Sequence, residues 1–309
     1  MILNTGSRTD IPAFYSAWFL NRVKEGYVLC RNPYRQDELI RYSLSPEVVD
    51  VISFCTKNPA PMLPRLGELR QYRMFWGVTI TPYGKDLEPN VPPWREAAGS
   101  VRELSKALGK DAVCWRYDPV LIHGRYSLGF HKEAFEALCE ELSGFVSFSV
   151  VSFIDLYRKT LRNFPEAREV SAEEQAELVS AFVRIGRKHS MPIRLCSENP
   201  ELGKLGADVS GCMTREVLEK AGGIRLSVPR TLSKARPSCS CLLGSDIGAY
   251  DSCVHGCRYC YANSDPALAR ENFRRHDPES PLLIGWPGKG DRIREARQVS
   301  YISQQLELF

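Results

Sequence analysis

The sequence predicts an α/β protein: a parallel (β/α) barrel, closed or incomplete, with a cysteine-rich loop near its C-terminal end. Three observations lead there. Short runs rich in Val, Ile and Phe alternate with amphipathic stretches through the first two-thirds of the chain, the pattern of βα units on a parallel sheet. Most of these runs are continuously apolar, which suits strands covered on both faces. Near Gly223 the alternation stops, and residues 227–265, rich in Ser, Gly, Cys and Asp, read as a long ordered loop of the kind that usually carries function.

The expected strands occupy residues 2–5, 28–31, 51–55, 75–80, 112–117, 146–153 and 192–196. Helical periodicity covers 12–24, 94–108, 132–142 and 172–189. The last begins with a capping box, Ser171 followed three residues later by Glu174. A short helix over 215–221 starts after Thr214 and stops at Gly222 and Gly223. The number of units favours a barrel over a small open sheet. Residues 1–226 form its core, and 227–309 form a cysteine-rich segment and tail that pack back on it as one unit.

Polar residues gather where these strands end: Ser7, Arg8 and Asp10; Thr56, Lys57 and Asn58; Thr79 and Thr81; Arg116 and Asp118; Ser152 and Asp155. In a parallel barrel those ends share one face, and that face holds the active site. Arg116 and Asp118 are candidate substrate contacts, with a local ion pair as the alternative.

Composition narrows the class. The 309 residues are 43% hydrophobic and 25% charged, so the chain as a whole is not disordered. Lysines and arginines number 41 against 37 acidic residues, too slight an excess to indicate nucleic acid. No basic start followed by an apolar run is present, nor the roughly 18 apolar residues of a membrane span, so a cytoplasmic protein is expected. The 11 cysteines then read as thiols, ligands or catalysts rather than disulfides. Seven of them lie between Cys196 and Cys260.

Three of those seven stand in the string Cys253-Val-His-Gly-Cys257-Arg-Tyr-Cys260-Tyr261. Three closely spaced thiolates satisfy three irons of a 4Fe–4S cluster and leave the fourth open to a chelating molecule. Zinc prefers four ligands from two separated pairs. His255, inside the first loop, is badly placed to be a fourth ligand.

The C-x3-C-x2-C spacing with Tyr259 before the last cysteine resembles the signature of the radical SAM superfamily, and the string Cys-Arg-Tyr-Cys-Tyr looks most like its spore photoproduct lyase branch. Most of the chain is similar to an uncharacterised bacterial family with this motif late in sequence, on Ser7-Arg-Thr-Asp-Ile-Pro, Thr56-Lys-Asn-Pro59, Trp115-Arg-Tyr-Asp-Pro119 and Asp246-Ile-Gly-Ala-Tyr250. The resemblance implies an enzyme of lyase or transferase type. Its open iron binds S-adenosylmethionine, and reductive cleavage gives a 5′-deoxyadenosyl radical. It implies an electron donor of the flavodoxin or ferredoxin type and an unknown substrate, with a nucleic-acid lesion as one option. Most superfamily members carry the motif after the first strand. A circular permutation reconciles its late position here, with the cysteine loop following the strand that precedes the N-terminal one in space. By order and residue type, Ser7, Lys57 and Thr79 then match the S-adenosylmethionine ligands of the lyase branch, with Lys57 on the carboxylate and Ser7 on the ammonium. Tyr259 shields the cluster or contacts adenine.

Cys196, Cys212, Cys239 and Cys241 form a second set. Four thiolates suit an auxiliary cluster or a structural zinc, and buried inert thiols are the plain alternative. Cys30, Cys55, Cys114 and Cys139 read as core. The rival to an enzyme is a non-catalytic zinc or iron–sulfur module that stabilises the fold or binds nucleic acid.

Overall fold

The computed structural model describes residues 1–229, 241–242 and 244–303. Seven parallel strands make the main sheet. In spatial order they are β9 (Ser245–Asp246), β1 (Ile2–Asn4), β4 (Val51–Thr56), β5 (Met74–Thr79), β6 (Val113–Val120), β7 (Ser149–Phe153) and β8 (Ile193–Leu195). The strand that comes late in sequence thus lies beside the first, pairing Leu3 with Ser245 and Asn4 with Asp246. Six of the seven expected strands are in this sheet. Among the described residues β8 and β9 do not pair, so a closed barrel is not formed; both are short, two and three residues, and each is an edge.

The seventh expected strand is a correction. Residues Tyr27–Asn32 (β2) pair antiparallel with Arg35–Ser43 (β3), and β3 pairs with Arg292–Glu295 (β10), giving a separate three-stranded sheet. The two-residue Pro33-Tyr34 connection makes β2 and β3 a hairpin, which a parallel sheet excludes. Apolarity identified β2 as a strand but carried no information about its partner. β3 and β10 were not anticipated, because their charges mask any apolar run.

Alternate residues of the main sheet face opposite ways. Leu3, Ile52, Phe54, Trp76, Trp115 and Val151 join the larger core, under α2 (Ser16–Glu25), α3 (Trp94–Leu108), α4 (Leu128–Leu142) and α6 (Ala172–Lys188). Rings from β6, α4 and α6 stack there: Trp115 on Phe135 at 4.8 Å and Phe135 on Phe182 at 4.0 Å, contacts worth about 0.5–1.5 kcal/mol each beyond area burial. Ile2, Val51, Phe75, Cys114 and Val150 face the other way, into a smaller core with Val217 and Leu218 of α7 (Arg215–Gly222). The capping box of α6 is present, with Ser171 and Glu174 reciprocally bonded. The two remaining named helices near the loop, α5 (Arg158–Asn163) and α8 (Pro266–Arg274), were not expected.

The C-terminal segment is built into this body. Beyond supplying β9 and β10, it sends Ser280 O to accept from Trp18 Nε1 at 2.9 Å, and Leu282 and Leu283 are buried. The N-terminal ammonium bonds Asp50 at 2.6 Å and Val299 O at 2.7 Å, joining both chain ends to the start of β4. Among the described residues, no helix is long and apolar enough to cross a membrane.

Candidate functional site

A cavity of about 650 Å³ lies at the C-terminal ends of the parallel strands, a size that suits a small-molecule site. Ser7, Arg8, Asp10, Thr56, Lys57, Thr79, Arg116, Asp118, Ser152 and Asp155 all line it, so most of the polar strand ends do converge. Cys253, Cys257 and Cys260 line the same cavity, as do Cys196, Cys212 and Cys241. Cys239 lies outside the described residues.

The loop that carries the first trio leaves β9 and is tied down along its length. Asp246 accepts from the backbone of Ser7 at 2.7 Å and Gly248 at 3.0 Å. Asn90 reaches Val254 O at 2.9 Å, Asn263 reaches Cys253 O at 2.6 Å, and Tyr261 OH donates to Ser7 O at 2.6 Å. Gly256 turns the chain between the first two cysteines at φ +72°, a conformation open to glycine at little cost. Burial pushes all three thiols above the ordinary thiol range, with Asp10 adding to the effect at Cys253 and Glu88 at Cys257. Backbone N–H groups work in the opposite sense: those of His255 and Asp10 face Cys253, and those of Asn263 and Ala262 face Cys260, the last at 3.3 Å. Such donors favour thiolate sulfur and tune a metal bound to it.

Asp10 is the hub beneath this loop. It accepts from Thr56 Oγ1 at 2.6 Å, Lys57 N at 2.7 Å and Ala13 N at 3.1 Å, where it caps α1 (Ile11–Phe14), and it pairs with His255 Nε2 at 2.8 Å. His255 is buried, and its other ring nitrogen lies 3.4 Å from Asn90 O. The ring is therefore committed to positioning the loop and not to ligation. The sequence signal for this was the polar Asp10 at a strand end; its partner 245 residues away was not legible.

Lys57 is not a free cation. Its ammonium lies 2.8 Å from Glu88 and 3.1 Å from Thr81 Oγ1, and 5.7 Å from the Tyr259 ring centroid. Burial acts against its charge, but Glu88 and Cys257 outweigh that and raise its pKa. Glu88 is buried and also accepts from Thr81 Oγ1 at 2.6 Å and from Tyr259 OH. Sequence reading missed Glu88, which sits in a loop after β5 with no motif around it. Thr79 is buried and lines the cavity. Ser7 Oγ accepts from Asn4 Nδ2 at 2.5 Å. Arg116 and Asp118 pair with each other, and Asp118 also accepts from Ser152 Oγ. The ion pair weighed as the alternative is thus present, inside the cavity.

The second trio is tightly grouped. Cys212 Sγ lies 3.6 Å from Cys196 Sγ and 3.4 Å from Cys241 Sγ, and all three sulfurs fall within 4.8 Å of one another, a group that could hold a metal. The backbone N–H groups of Cys212 and Met213 point at Cys241 Sγ, at 3.2 and 3.3 Å. Hydrogen bonds with Cys196 and Cys241, then the Arg116 charge, hold Cys212 well below the usual thiol range, while Cys196 is raised as the partner of the Cys212 bond. Gly77 makes room for Arg116: a Cβ there would stand 3.0 Å from its Cδ. Of the cysteines read as inert, Cys30 and Cys139 lie in the larger core and Cys114 in the smaller one, although Cys114 also lines the cavity; Cys55 lines it and is half-buried. In Cys114 and Cys55, burial raises the thiol, to about 11 at Cys55.

A family model described as a domain of unknown function, DUF1848, matches residues 2–262. The chain belongs to the DUF1848 family. The matched stretch of this DUF1848 chain takes in every strand of the main sheet and both cysteine trios. No curated protein matches the chain.

Proposed function

We propose that this DUF1848 protein is a radical SAM enzyme. One observation carries the reading: three half-buried thiols on one pinned loop, with backbone donors aimed at two of them, open into a cavity at the C-terminal ends of parallel strands. The residues fit a 4Fe–4S cluster. They supply three thiolates; of the nearby side chains able to add a fourth ligand, His255 and Asp10 pair with each other, and Glu88 is held by Lys57, Thr81 and Tyr259. Bound there, the cluster would supply an electron to S-adenosylmethionine and start radical chemistry on a second molecule in the cavity.

The chain's own residues divide the remaining work. Ser7 and Thr79 offer hydroxyls to the amino-acid end of S-adenosylmethionine. Lys57 offers its carboxylate a cation shared with Glu88, a weaker partner than a free ammonium. Tyr259 walls the site on the Lys57 side. Arg116 and Asp118 orient substrate from the far side. Around the rim, Arg8 and Lys159 lie over the Tyr250 ring at 5.4 and 4.6 Å, and Tyr157 and Tyr261 are partly exposed. Aromatic faces next to cations suit a planar, anionic substrate, which supports a nucleic-acid lesion as the class to test first. We place the reaction in the cytoplasm with a flavodoxin- or ferredoxin-type donor.

The test is anaerobic incubation of reconstituted protein with dithionite and S-adenosylmethionine. The expected product is 5′-deoxyadenosine, abolished in Cys257→Ser. Iron-replete protein that makes none would overturn the reading in favour of a non-catalytic metal module.

A further inference from the structure

The two cysteine trios lie on one cavity but differ in spacing. The sulfurs of Cys196, Cys212 and Cys241 lie within 4.8 Å of one another; among the described residues no other three such ligand atoms do, so Cys253, Cys257 and Cys260 are spread more widely. In a cubane each thiolate sits on its own iron, and the cluster core holds the sulfurs apart. Around one tetrahedral ion with 2.3 Å metal–sulfur bonds, geometry puts the sulfurs about 3.8 Å from each other. The 3.6 and 3.4 Å separations at Cys212 match the second case.

Their places in the chain add a second observation. Cys196 immediately follows β8, and Cys241 lies four positions before the start of β9. These are the two outermost strands of the main sheet. Cys212 stands between them in sequence, on the segment that enters α7, and Leu242 N donates to Met213 O at 2.8 Å. Arg116 is half-buried beside the trio, and its Nε is buried without a hydrogen-bond partner.

We propose that Cys196, Cys212 and Cys241 bind a single tetrahedral, thiophilic divalent ion of the zinc class through three of its four positions, and that this ion ties the chain leaving the outermost strand β8 to the chain entering the outermost strand β9. Binding exchanges thiol protons for the metal with no change of oxidation state. Arg116 offsets the anionic charge that three thiolates give a divalent ion. The inference does not rest on the radical reading, since it uses none of Cys253, Cys257 or Cys260.

The experiment is metal analysis with X-ray absorption at the zinc and iron edges on anaerobically purified full-length protein. Expected are about one zinc per chain in a sulfur shell near 2.3 Å, and about four irons. Cys212→Ser should lose the zinc and keep the iron, while Cys257→Ser should do the reverse. About eight irons with no zinc would overturn the proposal, as would zinc that persists in Cys212→Ser. The wild-type spectra decide the matter even if a variant fails to fold, and replacement by cobalt should give the visible bands of a tetrahedral thiolate site. A protein that holds zinc yet forms no 5′-deoxyadenosine would sink the radical reading and leave this one standing.

Discussion

Replacing Lys57 with methionine removes a cation from a carboxylate that has almost no access to water. The Glu88 side chain is 2% exposed and that of Lys57 13%, with 2.8 Å between them. After the substitution Glu88 retains Thr81 Oγ1 and Tyr259 OH but no counter-charge. Breaking a buried pair from one side costs about 3–5 kcal/mol, whereas replacing both members by neutral groups is often close to neutral. Scaled by the unfolding entropy of a chain this long, the single variant should melt roughly 5–8 °C lower. The double variant Lys57→Met/Glu88→Gln should recover at least half of that. Scanning calorimetry on anaerobic protein at fixed metal content measures both. A Lys57→Met variant within about 1 °C of the parent would refute the claim that Glu88 depends on Lys57. S-adenosylmethionine affinity read on the same proteins separates this stabilising role from the ligand role: loss of affinity in the single variant but not of iron is expected, and loss of iron would remove Lys57 from the cofactor site.

Asp10→Ala removes the acceptor shared by His255, Thr56 and Lys57 N; a loss of at least about 2 kcal/mol is expected, with iron per chain falling although all three loop cysteines remain. Gly244→Ala would put a Cβ 1.5 Å from Ile2 O, so β9 should leave β1 and limited proteolysis should cut within residues 245–262 while the rest of the sheet survives. His131 is buried between Tyr117 OH and Leu121 O, and burial lowers its pKa to about 4. Its unfolded value is near 6.5, so the unfolded state binds the extra proton between these values and stability should fall as pH drops through that window, by roughly 3 kcal/mol in full. His131→Gln should flatten this part of the urea-denaturation pH profile; an unchanged profile would count against it.

What was legible in the sequence was local. The apolar strands, α3, and α6 with its capping box follow from short-range pattern and capping chemistry. The convergence of Ser7, Lys57, Thr79 and Arg116 was legible too, because a parallel sheet puts every strand's C-terminal end on one side. The partners of those residues were not. Glu88, which neutralises Lys57, and His255, which locks Asp10, are fixed by how loops cross the cavity, and no periodicity records that. The same limit explains β2: six apolar-leaning residues suit either sheet, and only the hairpin to the charged β3 decides between them. The number of units suggested a barrel and left open whether it closes; two- and three-residue edge strands carry too few backbone hydrogen bonds to hold one shut among the described residues.

The charge balance of the cavity sets what each trio needs. Cys253, Cys257 and Cys260 sit where burial favours the protonated thiol; Lys57 opposes this at Cys257 but is paired with Glu88, and Lys159 opposes it at Cys260. Two lysines do not balance three thiolates, so on the proposed reading metal loading of that loop releases protons and weakens as pH falls. At the second trio Arg116 is already in place, half-buried, and shared with Asp118. Both trios thus begin from a partly compensated state, through Arg116 on one side and Lys57 and Lys159 on the other. The loop is also the part of the sheet region held by the fewest strand residues, two in β9. On the proposed reading, metal binding and docking of the loop are therefore linked: the positive charge that would make the thiolates tolerable would also pin the segment that carries them.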